Sequence, residues 1–118
     1  MSEDELPQPQ ALEACESLHP GASLASVHSV EENAFLHDLA DSIHPSWYDA
    51  YWLGGSDAQT EGVWTWSDGS DWDFEAWGEH DPEGGRKRNC MYVTNIYRYI
   101  HWSDAGCEDF PMKYICGF

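Results

Sequence analysis

The stretch Glu61-Gly62-Val63-Trp64-Thr65-Trp66-Ser67-Asp68-Gly69 alternates β-branched residues with tryptophans and then stops them with Ser-Asp-Gly. Val, Thr and Trp fit a pleated, half-buried surface, whereas Asp-Gly accommodates the backbone reversal that ends it. The run therefore reads as a short strand followed by a turn. The same texture recurs at Tyr51-Trp52-Leu53, Cys90 to Thr94, Tyr99 to Trp102 and Lys113 to Cys116, with Gly, Asp and Ser between the runs. From Tyr51 onward the chain is expected to be a set of short strands.

Upstream the pattern is helical. Residues 1–9 are polar and contain Pro7 and Pro9, which predicts a loose lead-in to a domain occupying 10–118. From Gln10 to His19, good helix formers place Leu12, Cys15 and Leu18 about one turn apart, and Pro20-Gly21 ends the helix. Ser23 to His28 alternates like a short bridging strand. Ser29 with Glu32 forms a capping box, predicting a second helix to about Ser42 that buries Ala34, Phe35, Leu36, Leu39 and Ile43. Two helices followed by a series of strands indicate an α+β domain, and 118 residues leave room for one.

Large side chains suffice to close a core: the chain is 42% apolar and holds seven Trp, six Tyr and four Phe. Charge is the stronger constraint. Five Lys and Arg stand against 22 Asp and Glu, a formal net charge of −17, and such a field repels nucleic acid and anionic lipid headgroups. Cations, basic proteins and neutral glycans remain as partners; alternatively, the acidity only keeps a Trp-rich protein soluble. Three of the five basic residues fall together, at Arg86, Lys87 and Arg88.

The cysteines, Cys15, Cys90, Cys107 and Cys116, lack the C-x-x-C spacing of zinc and redox motifs. An even number at long spacing in a small chain implies two disulfides and an oxidising compartment, with three connectivities open. The acidic opening Met1-Ser2-Glu3-Asp4-Glu5 has no apolar signal core, and no run of about 18 apolar residues occurs. A mature or trimmed secreted chain without membrane insertion is expected, against the alternative of a cytosolic protein with four thiols.

Ser67 to Asn89 has few strand signals and is long for a connection, which makes it the expected binding region. Trp52, Trp64, Trp66 and Trp102 are assigned to the core, while Trp72, Tyr97 and Tyr99 lie in less regular sequence and are the aromatic candidates for ligand contact. Gly54-Gly55 and Gly84-Gly85 fit turns. The six histidines include no H-E-x-x-H pair, and neither a G-x-S-x-G elbow nor an N-x-S/T sequon is present. No nucleophile, acid and base are assembled by any recognisable motif, so an enzyme is not expected.

Taken in order, these features resemble the C-type lectin-like domain family over residues 11–118. The residues that carry the resemblance are Leu24-Ala25-Ser26-Val27-His28-Ser29 with Glu31 and Glu32 behind it, Trp52-Leu53-Gly54-Gly55, Glu61 to Gly69, Trp77, Asn89-Cys90, Trp102-Ser103-Asp104, Cys107 and Tyr114-Ile115-Cys116. The texture is similar to that of secreted fish lectins and the related type II antifreeze proteins. The resemblance implies a fold of two helices, short antiparallel sheets and a long irregular loop region. It further implies disulfides Cys15 with Cys116 and Cys90 with Cys107, each worth roughly 3 to 5 kcal/mol on the chain-entropy account. One departure is the opening hairpin that the family places before its first helix. Its absence predicts an uncovered edge beside the C-terminal strand.

The resemblance also implies a calcium ion that sugar hydroxyls ligate directly, and calcium requires six to eight oxygens. The family's Glu-Pro-Asn triplet falls on Asp81-Pro82-Glu83, with a cis proline. Its next ligand falls on Arg88, a guanidinium with no acceptor atom. Its Asn-Asp pair becomes Ser103-Asp104, which keeps the carboxylate and loses the amide. A second family calcium site begins at Asp57 and Glu61 and continues on Gly84, Arg88 and Asn89, so it is incomplete as well. The metal candidates are thus Asp57, Glu61, Asp81, Glu83 and Asp104, and calcium is a possible but not a required cofactor. The ligand candidates are Asp81, Glu83, Arg88, Ser103 and Asp104. Arg88, helped by Arg86 and Lys87, either replaces the ion as counter-cation to Asp57, Asp81, Glu83 and Asp104 or belongs to a solvated loop tip.

The resulting expectation is a secreted recognition module that binds carbohydrate with weakened or lost calcium dependence. The alternatives are a lectin-like domain that binds a protein and no sugar, or an ice- or mineral-binding protein. A glycan or a protein is the expected partner, and the oligomeric state is left open.

Overall fold

In the computed structural model, which describes residues 5–43, 50–78, 81–82, 88–94, 100–108 and 110–117, one strand organises the rest. Strand β2 (Ala50–Ser56) is flanked by β3 (Thr65–Trp66) and β4 (Cys90–Thr94), both antiparallel, and β5 (His101–Ala105) continues the sheet beyond β4. The β6 strand (Lys113–Tyr114) joins β2 in parallel, the one departure from antiparallel pairing among the described ladders. A separate two-stranded ladder pairs β1 (Ser23–Leu24) with β7 (Cys116–Gly117). Two helices, α1 (Gln8–Leu18) and α2 (Val30–Ile43), complete the α+β architecture, and neither is long and apolar enough to cross a membrane.

Gly54 and Gly55 lie inside β2 and not in a turn. A Cβ on Gly54 would sit 2.4 Å from Ser67 Oγ, and one on Gly55 would sit 2.3 Å from Met91 Cγ. Close packing, not backbone reversal, excludes a side chain at both positions.

Helix α1 starts at Gln8, two residues before the expected Gln10, with Pro9 tolerated in its first turn. Its buried face is Gln8, Ala11 and Cys15, whereas Leu18 is exposed. Ahead of the helix, Leu6 exchanges two backbone hydrogen bonds of 3.0 Å with Met112, and its carbonyl also accepts the Trp52 indole N–H at 2.9 Å. Among the described residues of the lead-in, Leu6 pairs with the chain just before β6. The two disulfides are Cys15–Cys116 and Cys90–Cys107. The first ties α1 to β7, and the second ties the start of β4 to the chain after β5.

The cap of α2 forms as read: Glu32 N–H donates to Ser29 Oγ at 3.1 Å. The Glu32 carboxylate reaches one residue further back than the usual box, accepting from His28 N–H at 3.0 Å. The buried stripe differs from expectation. Asn33, His37 and Ala40 face the core, Leu36 and Leu39 are half-buried, and Ala34 and Phe35 are exposed. Placement of the Ile43 side chain lies outside the described residues. The phase is set by Trp102, whose buried indole N–H donates to Asn33 Oδ1 at 3.0 Å. A buried N–H requires an acceptor, and that requirement turns a polar residue inward.

Trp52, Trp64, Trp66 and Trp102 are buried, as expected. Trp72 joins them instead of standing free: its ring centroid lies 4.5 Å from that of Trp66, 5.7 Å from Trp102 and 6.1 Å from Trp64. The Glu75 carboxylate holds this layer from outside, one oxygen accepting from the indoles of Trp72 at 2.9 Å and Trp77 at 3.0 Å. Tyr97, Tyr99, Gly84 and Gly85 lie outside the described residues.

Candidate functional site

Backbone hydrogen bonds bring the long loop against β5. Trp102 N–H donates to Ala76 O at 2.8 Å and Gly78 N–H to Trp102 O at 2.9 Å, so Trp77 lies beside Trp102 as a single bridged pair. The chain then turns, with Asp81 N–H donating to Gly78 O at 3.0 Å, and the Asp81–Pro82 peptide is cis. Gly78 has no room for a side chain: a Cβ there would meet His101 Cδ2 at 2.4 Å and Asp81 Oδ2 at 2.9 Å.

This placement delivers Asp81 to Ser103, whose hydroxyl donates to Asp81 Oδ1 at 3.1 Å. Successive strand residues point to opposite faces, and the next residue, Asp104, meets a different partner. Its side chain is completely buried, with Arg88 Nε 3.6 Å from its Oδ1. Arg88 Nη2 also donates to the Asp104 carbonyl at 3.0 Å. The arginine is thus held at two atoms while 41% of its side chain stays exposed. Four of the five expected ligand residues are described and form two pairs, Asp81 with Ser103 and Arg88 with Asp104; the fifth, Glu83, lies outside the described residues, as do Arg86 and Lys87.

Asp57 and Glu61 form a separate corner. Asp57 is 2% exposed, its backbone N–H donates to Asn89 O at 3.0 Å, and its Oδ2 accepts Gly62 N–H at 2.9 Å. Its Oδ1 has no hydrogen-bond partner among the described residues. Glu61 is exposed.

Whether these groups fit calcium follows from the donor set. The ion requires six to eight oxygens, yet among the described residues no three Asp, Glu, His or Cys side chains gather to hold a metal. Arg88 instead stands 3.6 Å from the Asp104 carboxylate and donates to its backbone carbonyl, and the Ser103 hydroxyl donates to Asp81. The described residues do not fit a calcium cage.

Two contributors escaped sequence reasoning. His101 packs against the Gly78 backbone beside Asp81, and the Trp77-Gly78 pair that leads into the loop was the available signal for that approach. Beside Trp66, His28 Nδ1 lies 2.6 Å from Asp73 Oδ1 and its Nε2 lies 3.1 Å from Ser26 Oγ. The hydrogen bond to Asp73 raises the His28 pKa above 6.5, with added attraction from Glu32 and Asp68.

With the geometry in place, comparison with known proteins assigns the architecture. Residues 4–118 match the family model described as the Lectin C-type domain. A protein named lectin from Pleurodeles waltl is 36% identical over 105 residues, which cover 88% of this chain and 59% of that protein. Ladderlectin from Oncorhynchus mykiss is 38% identical over 104 residues, 87% of this chain and 53% of its own. The chain therefore spans little more than half the length of these relatives. Among solved structures, herring type II antifreeze protein superposes with a TM-score of 0.82 at 29% identity, covering 96% of this chain and 83% of that one.

Proposed function

The chain belongs to the C-type lectin domain family, and from that premise we propose that it is a secreted carbohydrate-binding module, not an enzyme, whose dependence on calcium is weakened or lost. The observation that carries this reading is Arg88 set against the buried carboxylate of Asp104. A guanidinium supplies positive charge and directed donors without vacating the site when calcium is scarce. Arg88 beside Asp104, and Asp81 with Ser103, are the two polar pairs proposed to meet sugar hydroxyls. Glu83 is the remaining acidic residue of the proposed site. Two disulfides support an oxidising compartment.

Melting curves in calcium and in chelator, paired with a glycan array run in chelator, test the proposal. Equal melting temperatures and glycan binding that persists in chelator are expected. A rise of several degrees in calcium that chelator reverses would show that a metal, and not Arg88, balances the site.

The likeness to an antifreeze structure favours one second reading, an ice-binding surface. Thermal hysteresis in solutions of the protein would support it, and freezing without hysteresis would remove it. A protein ligand with no sugar binding predicts a blank array in both conditions.

A further inference from the structure

A groove of about 320 Å³ lies between α2 and β7 and shares no residue with the Asp81, Arg88, Ser103 and Asp104 site. Ser26, Glu32, Phe35, Leu36, Asp68 and Gly117 line it. Phe35 is 66% exposed, a full aromatic ring left in water, while Leu36 beside it packs against the core. Among the described residues, Glu32 and Asp68 are the charged side chains of the lining, and both are acidic. They are held in place: Ser26 Oγ donates to Asp68 Oδ2 at 2.6 Å, and Glu32 Oε2 accepts from His28 N–H at 3.0 Å. Burial pushes the Asp68 carboxyl up, but hydrogen bonds from Ser26 and Ser70 outweigh it and keep the group below the usual carboxylate range. The neighbouring His28 ring is hydrogen-bonded to Asp73 and also attracts Glu32 and Asp68.

We propose that this groove docks a basic segment of a partner protein, with one cationic side chain meeting Glu32 and Asp68 while its stem lies on Phe35 and Leu36. The argument is complementarity of both kinds. Exposed carboxylates alone bind a cation weakly and are screened by salt. An aromatic face adds attraction for a guanidinium, and an apolar wall covers the methylene stem. A second copy of this chain is a poor occupant, since −17 repels −17 and only five basic residues are available.

The test is an NMR titration of the isotope-labelled full chain with the peptide acetyl-Arg-Leu-Arg-Leu-amide, using acetyl-Glu-Leu-Glu-Leu-amide as control. Saturable shifts confined to the amides of Ser26, Glu32, Phe35, Leu36, Asp68 and Gly117 are expected, with none from the acidic peptide. Phe35→Ala, at an exposed position that leaves the fold intact, should weaken binding about fivefold, and Glu32→Gln should weaken it as well. Shifts spread without saturation over the acidic surface, or equal binding by Phe35→Ala, would overturn the proposal. Because no residue is shared, failure here leaves the sugar-site reading standing, and the reverse holds too.

Discussion

The indole N–H of Trp102 donates to the amide oxygen of Asn33 at 3.0 Å, and both residues are buried. Replacing Asn33 with Leu keeps the helix and most of the volume but strands a buried donor, at a cost of about 1 to 3 kcal/mol. For a domain of this size the melting temperature should fall on the order of 4 to 12 °C. An Asn33→Leu variant that melts like the wild type would mean that another acceptor serves Trp102.

Arg88 is the cation beside the buried Asp104 carboxylate. Removing one member of a buried pair is costly, but water reaches the exposed part of Arg88, so Arg88→Met should destabilise by about 1 to 3 kcal/mol, less than for a closed pair. Arg88→Lys restores charge without the fork that reaches the Asp104 carbonyl, and recovers only part of the loss. Denaturant melts measure both. Calcium should leave the melting temperature of the wild type unchanged.

His28 carries a pH signature. Its folded pKa is raised above 6.5 by Asp73, so its stabilisation is fully present below that value and fades as pH rises through the folded pKa. Asp68 runs the other way: its folded pKa is lowered below 3.8, and its contribution is lost as pH falls through the folded value. The stability gap between wild type and His28→Gln should therefore be larger near about pH 5.5 than near about pH 8.5, and small throughout because Asp73 is exposed. A gap that grows with pH would refute the assignment.

The two disulfides should differ in worth. Cys15–Cys116 spans 101 residues and Cys90–Cys107 spans 17, and on the chain-entropy account the longer closure contributes about 1.5 kcal/mol more. Paired Cys→Ala variants compared in urea melts check the order. A larger loss from the short bridge would locate its contribution in the native state.

Much of the fold was legible because its signals are local. The Ser29 and Glu32 cap and the strand texture of Val63 to Trp66 each reveal themselves within a few residues, and the family resemblance supplied the disulfide pairing. What escaped depends on partners distant in sequence. Asn33 and His37 hold the buried face of α2 because of Trp102 and the core, so a count of apolar side chains chose Ala34 and Phe35 instead. Gly54 and Gly55 resembled turn residues until Ser67 and Met91 were found against them. Trp72 looked free because its neighbours along the chain are polar, although Trp64, Trp66 and Trp102 close around it in space. In the site, the chemistry of Arg88 was legible from its side chain alone. Its choice of Asp104 as partner was not, since strand alternation separates Asp104 from Ser103 only once β5 is placed.

Trp64, Trp66, Trp72, Trp77 and Trp102 form one cluster of tilted and edge-on rings with neighbouring centroids 4.5 to 6.4 Å apart, and Trp72 and Trp77 are pinned by a single Glu75 oxygen. Transition dipoles so close and so fixed in mutual angle couple, and coupled indoles give an intense near-ultraviolet circular dichroism band. Because Trp77 adjoins Gly78, near Asp81, a change in that band on adding sugar is the expected label-free sign of a shift beside Asp81.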